Sequence, residues 1–252
     1  MALVRLEFEP PLAALTLARP ARHNSLVPEL LRDLLAALAA VRARPEARAL
    51  ILQAEGRSFS TGGDLRGFQD HQADLAGYAH ELVGLLNEAI LALADLPIPS
   101  VAAVHGQVTG GALGLVLAAD LVLVAPAGTF TPYYATVGFS PDGGWTAMLP
   151  AVIGPRRAAA ALLLDQAITA EHAVAWGLAE RCVPAADLAA EARAAARRLA
   201  GLAPGSLRRA RLLLRGAGLA ERLEAERAQF LAQLATPEAR RGLQRFLEAR
   251  PA

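Results

Sequence analysis

Two glycine-rich segments in separate parts of the chain could together stabilise a negatively charged oxygen. They are residues 58–65 (SFSTGGDL) and residues 105–114 (HGQVTGGALG). Each follows an apolar run typical of a strand, and each offers backbone N–H groups that no bulky side chain covers. Two such N–H groups directed at one oxygen form an oxyanion hole, which stabilises the enolate of a thioester. The second segment also opens an apolar helical run, whose N-terminus carries a partial positive charge.

A carboxylate follows these loops in residues 140–144 (SPDGG). Proline and glycine favour a tight turn here, just before a helical run. From the residues alone, Asp142 suits either a helix N-cap or the transfer of a proton. Its apolar neighbours Phe139, Trp145 and Leu149 predict a raised pKa, because desolvation disfavours the charged form.

The order of these segments resembles that of the crotonase superfamily, also called the enoyl-CoA hydratase/isomerase family. The resemblance runs from about Leu12 to the C-terminus and implies an α/β fold, a crotonase-type spiral of repeated ββα units with a C-terminal helical trimerisation region. It also implies acyl-CoA thioester substrates and a homotrimer or dimer of trimers. Coenzyme A would enter as part of the substrate, so no separate cofactor is expected. The matching blocks are Arg19-Pro20, Asn24-Ser25, residues 59–65, Gly110-Gly111, Asp120-Leu121, Gly138 with residues 141–144, and residues 175–179.

Matched residue by residue, the family pattern assigns the two oxyanion donors to the N–H groups of Gly63 and Gly111. Family hydratases also use two glutamates, and the corresponding positions here are Gly114 and Tyr134. Hydration needs one group to activate water and another to move a proton to carbon. Ordinary hydration is therefore hard to support.

Relatives that resemble the ring-1,2-epoxyphenylacetyl-CoA isomerase carry a Pro-Asp-Gly turn at the place of Asp142, and that aspartate is their base. A single base suits an isomerase, because it can remove a proton from C2 or C4 and return it at the other end. The resemblance thus predicts an acyl-CoA isomerase, for a double-bond shift or a ring isomerisation in phenylacetate or fatty-acid catabolism. Alternatives are a hydratase with atypical residues, carbon–carbon bond formation and a non-catalytic acyl-CoA binder.

The resemblance also implies a set of substrate contacts. Asp64 is expected to brace its loop by accepting backbone N–H bonds. Tyr134 could orient the acyl group or fill the space of a glutamate, and Trp145 could line the acyl pocket or belong to the core. Phe246 and Arg250 match a motif that often reaches a neighbour's coenzyme A, although Arg250 could equally be a helix-surface arginine. The full set is Arg22, Asn24, Thr61, Asp64, Leu65, Tyr134, Trp145, Phe246 and Arg250.

Composition narrows the function classes. The 252 residues are 54% hydrophobic and 19% charged with a net charge of +1, so we expect neither disorder nor nucleic-acid binding. The chain contains no lysine, so any phosphate of a coenzyme A ligand must be held by arginine or by the backbone. Cys182 is the single cysteine, and we expect no disulfide framework and no metal site. No secretory signal or membrane span is visible, which predicts a cytoplasmic protein.

One branch of the family binds RNA through a lysine-rich helix. The comparable feature of this chain is the group of arginines at positions 208, 209, 211 and 215. Without lysine and with little net charge, we interpret this cluster as a solvated helix face.

The resemblance implies two regions, a core spiral domain over residues 1–185 and a C-terminal helical region over 186–252. The expected strands are 4–8, 12–17, 48–53, 100–104, 121–125 and 178–183. The expected helices are 25–41, 73–96, 110–119, 189–200, 204–214, 219–235 and 237–249.

Overall fold

A mixed sheet followed by helices makes up the protein, in a computed structural model that describes residues 2–249. The strands are β1 Val4–Glu9, β2 Leu12–Leu17, β3 Ala49–Ala54, β4 Ser100–Val104, β5 Gln107–Thr109, β6 Leu121–Val124, β7 Thr129–Thr131, β8 Ile168–Thr169 and β9 Arg181–Cys182. The α-helices are α1 Pro28–Arg42, α2 Leu65–Asp70, α3 Leu75–Ala94, α4 Leu113–Leu117, α5 Tyr134–Val137, α6 Leu149–Ile153, α7 Pro155–Leu163, α8 Ala170–Ala175, α9 Leu188–Ala200, α10 Pro204–Arg215, α11 Leu219–Leu234 and α12 Pro237–Ala249. Both the mixed α/β class and the C-terminal helices agree with the prediction.

The larger sheet has six strands in the order β1-β2-β3-β4-β6-β9. β1 and β2 form an antiparallel hairpin, and every later neighbour is parallel. All residues of β2 and β4 are buried. Strands buried on both faces read as continuous apolar runs, which is why the sequence shows little alternation here.

Each face of this sheet has its own hydrophobic cluster. On one face, Leu52 of β3 belongs to the same cluster as Leu38 of α1 and Ile90 of α3. On the other face, Ile51 belongs to the same cluster as Ala196 of α9. α9 lies in the predicted helical region and shares this core with the strands of the sheet.

A second, three-stranded sheet, in the order β5-β7-β8, was not predicted. β5 lies inside the second glycine-rich segment and pairs in parallel with β7, which leads into α5. These strands have only two or three residues each, too short for periodicity to reveal them.

Two predicted helices begin as 3₁₀ turns and become α-helical a few residues later than expected. The expected helix 73–96 begins only at Leu75, because Asp74 caps it by accepting a hydrogen bond from the N–H of Gly77 at 3.1 Å. Ahead of it lie α2 and a short 3₁₀ turn. The expected helix 110–119 starts as a 3₁₀ turn over Gly110–Ala112 and continues as α4. No helix within residues 2–249 is both long enough and apolar enough to cross a bilayer.

Candidate active site

The two glycine-rich loops lie side by side and open onto one cavity. The N–H of Ser60 donates to Gln107 O at 3.1 Å, and that of Thr109 donates back to Ser60 O at 3.0 Å. Gly62 packs so closely that a Cβ there would lie 2.5 Å from the carbonyl oxygen of Thr109. Its φ of +71° also favours glycine. The adjoining cavity has a volume of about 380 Å³.

Gly63 and Gly111 both line this cavity, as the oxyanion-hole prediction requires. Within residues 2–249 neither N–H donates to a protein acceptor, so both are available to a ligand. Gly111 lies in the 3₁₀ turn that leads into α4, where successive N–H groups have no helical partner. Each of the two loops therefore brings one unused backbone donor to the cavity.

Asp142 lies directly against the second of these donors. A Cβ on Gly111 would lie 3.0 Å from Asp142 Oδ1 and 3.2 Å from Oδ2, and 2.6 Å from Leu86 Cδ2. Only glycine fits between the carboxylate and Leu86. The turn that follows Asp142 also packs on the backbone of Gly111, because a Cβ on Gly143 would lie 2.4 Å from Gly111 Cα.

Tyr134 also holds the Asp142 carboxylate. Its hydroxyl donates to Oδ1 at 2.5 Å and also lies 3.0 Å from the backbone oxygen of Asp142. Burial, and then the charge of the carboxylate, raise the pKa of Tyr134 well above its usual value, so the phenol stays protonated and acts as a donor. The sequence left two roles open for Tyr134, and this contact with the carboxylate is a third.

Asp142 is buried, with 6% exposure. Burial raises the pKa of Asp142 to about 7. The Tyr134 hydrogen bond lowers this pKa, and the charge of Glu226 raises it. The raised pKa agrees with the prediction from the apolar neighbours, but the sequence did not suggest Glu226.

Neither hydratase glutamate position has room or chemistry for that role. A Cβ on Gly114 would lie 2.3 Å from Ile90 Cδ1 and 2.5 Å from the carbonyl oxygen of Gly143. The packed core thus fills the space where a glutamate side chain would begin. Tyr134 occupies the other position and is engaged with Asp142.

Asp64 also borders the cavity, but in an ionic environment. Its carboxylate bonds Arg19 at 2.9 Å and Arg22 at 3.1 Å, and accepts from Ser25 Oγ at 3.2 Å. It also accepts from the N–H of Arg66 and so caps α2, as the bracing prediction requires. Burial alone would raise the pKa of Asp64, but bonds and charges from the two arginines outweigh it and lower the pKa.

Most of the predicted substrate contacts reach the cavity, and two do not. Asn24 is fully buried and ties the first loop together by donating to the carbonyl oxygens of Glu55 and Ser58. Trp145 lies in the core at 0% exposure rather than on the cavity wall, and its Nε1 donates to the carbonyl oxygen of Gly110 at 2.8 Å. Arg250 lies outside the described residues. Those that line the cavity are Arg22, Thr61, Asp64, Leu65, Tyr134 and Phe246.

Phe246 lines the cavity of its own chain, whereas the family pattern suggested a neighbour's coenzyme A. Its ring meets Tyr133 edge to face, with centroids 5.9 Å apart. Phe68, Phe139 and Phe230 also line the cavity and form a mutual aromatic cluster with centroids 5.4 to 6.2 Å apart. This aromatic wall makes one side of the cavity apolar and suited to an acyl group.

The arginine cluster of α10 is partly structural, which corrects the interpretation as a solvated helix face. Arg211 is buried and bonds Asp120 at 2.8 Å, and Arg215 bonds the same carboxylate at 3.1 Å. Arg208 and Arg209 are exposed. Asp120 itself, one of the motif residues, thus connects α10 to the sheet.

Comparison with known proteins accounts for this arrangement. The sequence profile of the enoyl-CoA hydratase/isomerase family matches residues 7–252. The chain belongs to that family. It is 36% identical over 252 residues to a probable enoyl-CoA hydratase of Rhodobacter capsulatus, covering 98% of this chain and 96% of the relative. It is 34% identical over 204 residues to the 1,2-epoxyphenylacetyl-CoA isomerase of Escherichia coli, covering 79% and 77%.

The fold agrees with the same family. The crystal structure of enoyl-CoA hydratase from Bacillus halodurans superposes with a TM-score of 0.90 at 25% identity, covering 96% of this chain and 99% of that one. The crotonase-type fold predicted from the motifs is therefore confirmed. These relatives include proteins named as hydratase and as isomerase, so the residues of the cavity must decide between the two reactions.

Proposed function

We propose that this protein is an acyl-CoA isomerase in which Asp142 is the single catalytic base. The observation that carries the proposal is the position of this carboxylate, buried and in contact with the second oxyanion glycine, Gly111. The only other carboxylate on the cavity wall, among the described residues, is Asp64, which is paired with two arginines. One free base beside an oxyanion hole suits proton transfer within a substrate better than addition of water.

The reaction follows from the geometry. The thioester oxygen of an unsaturated acyl-CoA accepts hydrogen bonds from the N–H groups of Gly63 and Gly111. Tyr134 occupies Oδ1 of Asp142, which leaves Oδ2 to remove a proton from C2 or C4. The electron pair moves into the carbonyl and forms a dienolate that the two N–H groups stabilise. Protonated Asp142 then returns the proton at the other end, so the double bond shifts and no atom is gained or lost. No separate cofactor takes part in this scheme.

The rest of the cavity supports an acyl-CoA as the ligand. Arg22 and Arg66 line it, and guanidinium groups suit the phosphates of coenzyme A. The cluster of Phe68, Phe139 and Phe230 borders the acyl side and favours a compact apolar or cyclic acyl group.

Assay with a 3-enoyl-CoA and, separately, a 2-enoyl-CoA in deuterated water tests the proposal. Interconversion of the two, with little 3-hydroxyacyl-CoA, is the expected result. Rapid formation of 3-hydroxyacyl-CoA would instead support hydration. That second function is favoured by the name of the Rhodobacter capsulatus relative, and in this site it would have to rely on Asp142 and Tyr134 alone.

We also propose self-association as a homotrimer or dimer of trimers. The surface offers apolar area for it, since Leu212, Leu213 and Leu214 of α10 and Leu163 and Leu164 at the end of α7 are exposed. Sedimentation equilibrium should give three or six times the monomer mass, and a monomer at micromolar concentration would contradict this.

A further inference from the structure

A buried glutamate on α11 holds the turn that follows Asp142. Glu226 Oε1 accepts from the N–H of Thr146 at 2.6 Å, from the Thr146 hydroxyl at 2.7 Å and from the N–H of Ala147 at 2.9 Å. Its Oε2 accepts from the N–H of Gly144 at 2.8 Å. The residue is only 5% exposed and does not line the cavity. Both carboxylate oxygens are thus used on one short segment of chain.

This segment determines where Asp142 lies relative to the second oxyanion donor. Gly143 and Gly144 have left-handed φ values of +60° and +88°, and Gly143 packs on the backbone of Gly111. Tyr134 holds Asp142 itself, and Glu226 holds Gly144, two residues further on. The turn is therefore held at both ends, from α5 on one side and from α11 on the other.

We propose that Glu226 is a positioning residue for the reaction, holding the turn after Asp142 so that the catalytic carboxylate stays against Gly111. The inference rests on the proposed function of Asp142 as the base. Glu226 acts through the turn and does not contact the substrate. A misplacement of the base by about 1 Å can cost on the order of a hundredfold in rate.

The negative charge of Glu226 predicts an effect on the Asp142 pKa that a purely structural residue would not have. The titratable and charged side chains that contact Asp142 and its turn, among the described residues, are Tyr134 of α5 with Glu226 and Arg222 of α11. Arg222 donates to the carbonyl oxygen of Ala147 at 3.0 Å. The negative charge of Glu226 raises the pKa of Asp142, after burial, whereas the Tyr134 bond lowers it. Removing only the charge of Glu226 should therefore lower the pKa of the base.

Glu226→Gln tests the proposal, with Glu224→Gln as the matched control. Glu224 lies on the same helix, is 62% exposed and pairs with Arg227. The glutamine keeps one oxygen acceptor but presents an amide N–H₂ to the N–H of Gly144. We expect kcat to fall at least tenfold with KM within twofold. We also expect the acid limb of the pH profile to move to lower pH, while Glu224→Gln resembles the wild type.

An unchanged kcat and acid limb in folded Glu226→Gln would overturn the proposal. So would a loss of activity that is fully explained by a smaller folded fraction, since that is a purely structural role. If this variant does not fold, Thr146→Ala provides a second test, because it removes the hydroxyl that donates to Glu226 Oε1. It should lower kcat about threefold at constant KM, and wild-type kinetics there would overturn the proposal.

Titration of the Asp142 carboxyl by carbon-13 NMR, assigned with Asp142→Asn, separates this proposal from the proposed function. A wild type without isomerase turnover refutes the function. If Glu226→Gln still lowers the Asp142 pKa in that protein, the contact between Glu226 and the turn stands. If kcat and the Asp142 pKa are both unchanged in folded Glu226→Gln, the positioning role is refuted even in an active isomerase.

Discussion

Two buried aspartates border the same cavity, and their surroundings shift their pKa values in opposite directions. Asp64 has guanidinium groups of Arg19 and Arg22 at 2.9 and 3.1 Å, and its pKa is lowered. Asp142 has a phenol and backbone groups around it, and its pKa is raised to about 7. Exposure does not separate them, since it is 7% for Asp64 and 6% for Asp142.

The difference shows that the environment, and not the residue type, assigns the chemical role. A carboxylate neutralised by two cations remains charged and stabilises its loop. A carboxylate without a cationic partner is costly to ionise and can take up a proton near neutral pH. Under the proposed function, the cavity therefore contains one structural and one reactive aspartate.

The largest expected effect separates the two residues by activity. Asp142→Asn should lower kcat by about 10²–10⁴-fold, because it removes the proton-transferring group while keeping the shape of the side chain. Asp64→Asn should keep kcat within about tenfold, since it loses ion pairs but no base. Steady-state isomerase assays on both variants measure this. Comparable losses of kcat in the two folded proteins would break the distinction.

Stability should change in opposite directions at pH 8. Because the folded-state pKa of Asp142 is raised, its cost appears as pH rises from about 4 to 7 and is complete above 7. Asp142→Asn should therefore raise the free energy of unfolding at pH 8 by up to about 4 kcal/mol, with little gain at pH 4. Urea titrations at both pH values give these numbers.

Asp64→Asn provides the opposite sign. The folded-state pKa of Asp64 is lowered, so its stabilising contribution is present above the unfolded pKa and is lost as pH falls through the folded one. We expect a loss of about 2–3 kcal/mol at pH 8 that shrinks in acid. A stabilised Asp64→Asn or a destabilised Asp142→Asn at pH 8 would contradict the account.

A smaller effect concerns the pH profile. Wild-type kcat should fall below pH about 7, because the base must be deprotonated. Tyr134→Phe removes the bond that lowers the Asp142 pKa, so the acid limb should move to higher pH. The loss of one charge-assisted bond should also lower kcat about tenfold. A shift to lower pH would show that Tyr134 does not donate to Oδ1.

The smallest effect compares the two arginines of Asp64. Arg22 is 37% exposed and Arg19 is 20% exposed, and Arg19 also bonds Ser25. Arg22→Gln should change stability by less than about 1 kcal/mol but raise KM for an acyl-CoA severalfold. Arg19→Gln should show the reverse balance, with more loss of stability and less change in KM. Equal KM changes would indicate that Arg22 does not contact the phosphates.

Local motifs pointed to the glycine-rich loops and to the turn of Asp142. The features that were missed depend on contacts between residues far apart in the chain. The glycines of both loops and the turn of Asp142 are local motifs, so the family resemblance could be matched residue by residue to Gly63, Gly111 and Asp142. Glu226 was missed because it lies far along the chain, on a helix where a glutamate ordinarily faces solvent. Its one signal was an acidic residue among the buried-face positions of α11, between Leu223 and Phe230.

Two other differences between prediction and structure also arise from contacts between residues far apart in the chain. Trp145 reads as a pocket residue because aromatic side chains line apolar cavities, yet its indole N–H finds the carbonyl of Gly110 in the core. Arg211 reads as solvated on a basic helix until the fold places Asp120 next to it. A sequence shows which groups need partners, and only the fold shows which partners they obtain.

The most direct test of the account is the conversion of a 3-enoyl-CoA in deuterated water by the wild type and by Asp142→Asn. The account predicts that the wild type yields 2-enoyl-CoA and little 3-hydroxyacyl-CoA, with the transferred hydrogen largely retained because Asp142 returns the proton that it removed. It also predicts that folded Asp142→Asn still binds the substrate but neither isomerises nor exchanges it. Wild-type turnover in Asp142→Asn, or 3-hydroxyacyl-CoA as the main wild-type product, would contradict Asp142 as the single base of an isomerase.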